Sequence, residues 1–196
     1  MWQLLLLLMF GNFLGIGILT QAPGACRITA EQFPAVRGLK LGMTPAQVLN
    51  VLPSGAEKEE LARRANSPDR HDIASLEYYP NKYGNPPQLA GVQQIYAFFY
   101  RGTLADFHIV YASPSQGGVS WPSSNEYITR VAEALQLPGP QAWATGEHGE
   151  RVLKCVGFEV QVADKNGLRI RRAGFPEEVE ARKQAEEDER RKNFRP

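Results

Sequence analysis

VQQIYAFFY (92–100), RGT (101–103) and LADFHIVY (104–111) decide the fold of this chain. Two runs rich in aromatic and β-branched residues flank a short turn holding Gly102, the pattern of a β-hairpin. Alternation puts Ile95, Ala97 and Phe99 on one face of the first strand, and Phe107, Ile109 and Tyr111 on one face of the second. Those two faces pair and need an apolar cover. Tyr96, Phe98 and Tyr100 take the opposite face, which is more aromatic than solvation requires. They are candidate partner contacts.

The cover comes from helices on either side of the hairpin. In LKLGMTPAQVLNVLP (39–53), Thr44 is suited to the N-cap, Pro45 to the first helical position, and Gln47 completes a capping box. Met43 and Val48 occupy the positions of a hydrophobic staple. Val48, Leu49, Val51 and Leu52 form a short apolar face, and Pro53-Ser54-Gly55 stops the helix. After the hairpin, Ser123 and Glu126 suggest a second capping box, followed by the stripe Ile128, Val131, Ala132 and Leu135.

Further strands are expected at 73–79, 152–163 and 167–172, the last two joined by a turn over 164–167. The order helix, strands, helix, strands predicts an α+β domain over 26–174. It has two layers, short helices on an antiparallel sheet, and suggests an αββ duplication. Residues 56–65 read as a short charged helix and 80–88 as a loop. The tail, 175–196, carries seven acidic and six basic side chains after Pro176. With i,i+4 pairs Glu178–Arg182, Glu186–Arg190 and Glu187–Arg191, it reads as a solvated helix or disordered extension that projects from the body.

Residues 1–20, MWQLLLLLMFGNFLGIGILT, contain no charged side chain. With small residues at Ala22, Gly24 and Ala25, the segment 1–25 reads as an export signal, with an uncleaved membrane anchor and lipidation of Cys26 as alternatives. An exported chain with two cysteines most simply pairs them, so Cys26 and Cys155 are expected to form a disulfide.

Charge and chemistry narrow the function by exclusion. Twenty-two basic against 21 acidic residues leave no electrostatic case for nucleic acid. His71, His108 and His148 lack metal-site spacing, no serine sits in a nucleophile elbow, and Cys155 lies in an expected strand. Asp106 and Glu159 are expected to face solvent, and Gly117-Gly118 does not open a phosphate-binding helix. No catalytic, cofactor-binding or metal-ligating residue is therefore assigned. Trp121 and Trp143, on loops around the second helix, join Tyr96, Phe98 and Tyr100 as candidate contacts.

Gly42, Met43, Thr44, Gln47 and Val48 carry a resemblance to the SmpA/OmlA-type small envelope lipoproteins and related secreted domains, in which a Gly-Met-Thr turn opens a short helix. The resemblance covers about 15 residues. It implies a two-layer αββ core, duplicated in one class, and action by binding proteins. The expectation is an exported, non-catalytic domain that binds a protein or cell-envelope partner, touching membrane only through an uncleaved leader or a lipidated Cys26. The alternatives are a secreted hydrolase whose site is assembled from distant residues, and a spacer whose charged tail interacts.

Overall fold

The computed structural model describes residues 25–52, 55–84, 86–163 and 165–195. Residues 1–24 of the expected leader (1–25), the Pro53-Ser54 helix stop and Asp164 of the last turn lie outside the described residues. The elements run α1 (Pro45–Val51), α2 (Lys58–Ala65), β1 (Ile73–Tyr78), β2 (Val92–Tyr100), β3 (Thr103–Tyr111) and α3 (Ser124–Leu135). They continue with β4 (Ala144–Thr145), β5 (Arg151–Lys154), β6 (Phe158–Ala163), β7 (Gly167–Arg172) and α4 (Phe175–Asn193).

Both bonds of the α1 capping box form: the Thr44 amide donates to Gln47 Oε1 (2.8 Å) and the Gln47 amide to Thr44 Oγ1 (3.4 Å). In α3 the Ser123 hydroxyl accepts from the Glu126 amide (3.1 Å). Side-chain caps of this kind stabilise a helix by about 1 kcal/mol each, which matters for an α1 of seven residues.

The strands form one antiparallel sheet in the order β1-β2-β3-β7-β6-β5-β4. Helices then a meander occur twice, α1–α2 before β1–β3 and α3 before β4–β7. The halves meet where β3 pairs with β7. Each half therefore carries more strands than the αββ unit expected from the sequence. On one face, Val48, Leu52, Leu61, Ile128 and Val131 of the helices pack with Ile95, Ala97, Phe99, Phe107 and Ile109 of the hairpin in a single core. The hairpin's apolar faces lie where alternation puts them.

Two further expectations about the elements change. The run 152–163 is not one strand: it folds back between β5 and β6, with Gly157 in the left-handed region (φ 80°) and the Cys155 amide bonded to the Phe158 carbonyl (2.9 Å). Doubling back pairs Leu153 with Val160 and puts Cys155 at a turn. There it bonds to Cys26, across 129 residues of chain.

The tail is the second. It is helical, but its first turns dock on the sheet's far face, where Phe175 and Val179 pack with Tyr100 and Ala105. Two of the three expected i,i+4 pairs give way to contacts with the body. Glu178 pairs with Arg172 (2.7 Å), Arg182 with Asp72, and Glu186 with Arg70 (3.2 Å). Glu187–Arg191 remains as expected. No helix among the described residues is long and apolar enough to cross a membrane.

Candidate functional site

Among the recesses in this framework, two bear on function, one on each face of the sheet. The larger in chemical contrast lies on the helix face, where α3 and the loop 112–121 stand apart from the end of β3. It has a volume of about 360 Å³, at the small end of the range for small-molecule sites. Trp121, Tyr127 and Tyr111 give it aromatic walls, and Val131, Leu135 and Leu168 its aliphatic floor.

Local chemistry explains why the loop stands there. Ser113 and Gln116 cap a short turn that ends at Gly117 in the left-handed region. Gly118 then passes so close to β3 that a Cβ would lie 1.7 Å from the Ala112 carbonyl oxygen. Only glycine fits. The loop delivers Val119, 63% exposed, and Trp121, whose ring centroid is 5.5 Å from that of Tyr127.

Two arginines stand at this cleft, and no acidic residue among the described residues lines it. Arg37 adopts φ 53° in the tight turn closed by Val36 and Leu39, a conformation that costs a non-glycine residue of order 1 kcal/mol. Its guanidinium holds the carbonyls of Gln88 (3.2 Å) and Ala90 (3.3 Å) and lies over the Tyr111 ring (5.7 Å). Arg130 comes from the exposed side of α3 and pairs with Glu133 (3.1 Å). Tyr127 is only 5% exposed, and its hydroxyl finds no hydrogen-bond partner in the structure. Burial, with the neighbouring Tyr111, pushes its phenol above the ordinary tyrosine range.

The far face is polar. Registered pairing sets Tyr96, His108 and Arg169 side by side across β2, β3 and β7, with Phe98, Asp106 and Arg171 in the next row. Asp106 is fully buried rather than solvated. It keeps the regular register beside His108, next to a β-bulge at Ala105, and lies beneath Arg169 of the neighbouring strand. The Arg169 Nε donates to both carboxylate oxygens (2.9 and 3.0 Å) and Nη2 to Oδ2. Glu159 is half-buried and pairs with Arg171 (3.0 Å).

His108, His148, Glu150, Gln161 and Arg169 line a second recess of about 340 Å³ here. Burial and then the Arg169 charge push His108 below the ordinary histidine range, Asp106 opposing, which favours the neutral imidazole. No serine, threonine or cysteine lines this recess among the described residues. Nor does any group of three His, Cys, Asp or Glu side chains converge as metal ligands among them.

The five aromatic residues singled out from the sequence do not form one surface. Trp121 lines the cleft. Tyr96 stacks on His108 (6.0 Å) on the far face and is half-exposed. Phe98 and Tyr100 pack into the cluster beneath α4, Tyr100 edge-on to Phe175 (5.7 Å). Trp143 is 3% exposed, with Nε1 donating to the Pro138 carbonyl (3.0 Å), so it is a core residue and presents no contact surface. Sequence reading missed Arg37, Tyr111, Tyr127 and Arg130. The signals for them were a tyrosine beside the apolar stripe of α3 and an arginine before Gly38 in a tight turn.

Fold and cleft together define a disulfide-bonded α+β domain with an apolar, arginine-flanked recess beside Trp121. No family model matches the chain, and no curated protein or solved structure matches it.

Proposed function

We propose that this protein is an exported, non-catalytic binding domain that holds a protein or cell-envelope partner at the cleft beside Trp121. One observation carries the reading: α3 and the 112–121 loop leave an aromatic-walled, apolar recess open beside the core. Export is supported by the Cys26–Cys155 bond, since disulfides persist in oxidising compartments, and by the uncharged leader. The same bond occupies the Cys26 sulfur that lipidation would need, so a lipid anchor and this bridge exclude each other. The likeness of the 39–53 segment to small envelope proteins points the same way.

The test is a photo-crosslinking residue at Val119 in the mature protein, exposed to envelope extract. A discrete crosslinked product should form. It should disappear when the exposed Ala134 on the cleft wall becomes Phe, and persist in Tyr96→Ser. Equal crosslinking in Ala134→Phe would remove the cleft from the reading.

A second reading, a secreted hydrolase, is favoured by the recess that sets His108 and His148 near Glu150. It predicts turnover of p-nitrophenyl acetate that falls with pH through the titration of His108 and vanishes in His108→Ala. Rates equal to those of His108→Ala at every pH would discard it.

A further inference from the structure

We propose that the Trp121 cleft selects a small amphipathic monoanion, a carboxylate on a short acyl or similarly sized apolar body. This rests on the reading of the cleft as a binding site and gives that site its ligand class. Shape and lining exclude most alternatives. Sugars and nucleotides need many polar partners, whereas this recess offers aromatic and aliphatic walls and few polar groups. An apolar body of eight or so carbons fits about 360 Å³, and each buried methylene contributes about 0.8 kcal/mol.

Charge selects the head group. Arg37 and Arg130 line the cleft and no carboxylate does among the described residues, Glu133 pairing with Arg130 from outside the lining, so an anion is favoured there over a cation. Neither guanidinium is used up. Arg37 donates two of its five N–H groups to carbonyls. Arg130 spends one on an exposed pair with Glu133, an interaction of the kind that contributes little. Arginine also presents its donors as a fork that matches a carboxylate.

The buried Tyr127 hydroxyl is an independent pointer to a ligand. Buried polar atoms are rarely left without a partner, and this one belongs to a residue that lines the cleft. The oxygen is closed to solvent, so an anion, or the water it carries in, reaches the phenol once the ring shifts as the cleft fills. Arg37 fits the same picture: a strained, non-glycine turn residue is tied down by three contacts at the place where its charge is useful.

Calorimetric titration of the mature, oxidised protein with octanoate, octylammonium and 1-octanol tests the proposal. Octanoate should bind saturably, and about tenfold more tightly than the other two. Arg130→Gln should reduce that preference severalfold, and Arg37→Gln/Arg130→Gln should abolish it with octanol affinity kept. Ala134→Phe should remove binding of all three. Tyr127→Phe, which leaves the apolar walls in place, should weaken octanoate more than octanol.

Equal affinity for the three probes, all lost in Ala134→Phe, would overturn the anion selectivity while leaving a cleft that binds. No octanoate binding up to about 1 mM would overturn the ligand class outright. The Val119 crosslink then judges the binding reading separately. Should Arg37→Gln unfold the turn, Arg130→Gln alone still decides the matter, because Arg130 is exposed and its loss leaves no buried group unpaired.

Discussion

At the scale of single residues, the ion pair between Asp106 and Arg169 is asymmetric. The carboxylate is fully buried, whereas the arginine side chain is 37% exposed. Removing Arg169 strands a charge in the sheet; removing Asp106 frees an arginine that can reach water. Breaking a fully buried pair costs about 3–5 kcal/mol, and the exposure of Arg169 lowers that figure here. Arg169→Met should therefore destabilise by about 2–3 kcal/mol, and Asp106→Asn by only about 1 kcal/mol. Urea unfolding of the two variants measures both. Equal losses would mean that the carboxylate has another route to compensation. Sequence could not show this asymmetry, because alternation puts Asp106 on the same face as His108, and only the pairing of β3 with β7 brings Arg169 over it.

At the scale of elements, α4 shows how a charged helix docks with little apolar surface. Phe175 and Val179 supply one turn of contact, and Arg172–Glu178, Asp72–Arg182 and Arg70–Glu186 carry the attachment along the helix. The hydrogen bonds from Arg172, with its charge, hold Glu178 below its ordinary value of 4.5. A carboxylate whose folded value is depressed contributes stability above its unfolded value and loses it as pH falls through the folded one. Docking of α4 should then loosen progressively as pH falls below 4.5. Amide exchange of residues 175–186 should accelerate in that window while β2 and β3 stay protected, and Glu178→Gln should flatten its onset. The sequence made the helix legible but not its docking: i,i+4 spacing suggests partners within the helix, and nothing local reveals Arg70 or Asp72 as competitors. By contrast α1 was readable almost residue by residue, because Thr44, Pro45 and Gln47 act within one turn. The cleft was not, since its walls come from residues 36 to 168 and only Trp121 stood out as a contact.

At the scale of the whole molecule, the disulfide joins the N-terminal segment to the β5–β6 turn, and the segment's role decides what the bond is worth. Closing about 130 residues restricts the unfolded chain by about 5 kcal/mol before strain. If residues 25–41 were only a tether, reduction would release them and leave the domain's stability nearly unchanged. They are more than that. Phe33 packs on Phe158 (4.7 Å), Thr29 bridges Val156, and Phe33, Val36 and Leu39 belong to the same core as the helices and hairpin. Cys26→Ser/Cys155→Ser should therefore lower global stability by about 3–5 kcal/mol, and the thermal midpoint by about 10 °C or more. Loss of protection confined to residues 25–41, with the midpoint unmoved, would show the segment to be a tether. Because Arg37 sits on this segment, the same variant should also hold octanoate less tightly than the oxidised protein, with the octanol affinity falling less. Covalent linkage at Cys155 thus reaches the cleft through a single stretch of chain, and the ratio of the two losses measures how firmly that stretch fixes the arginine.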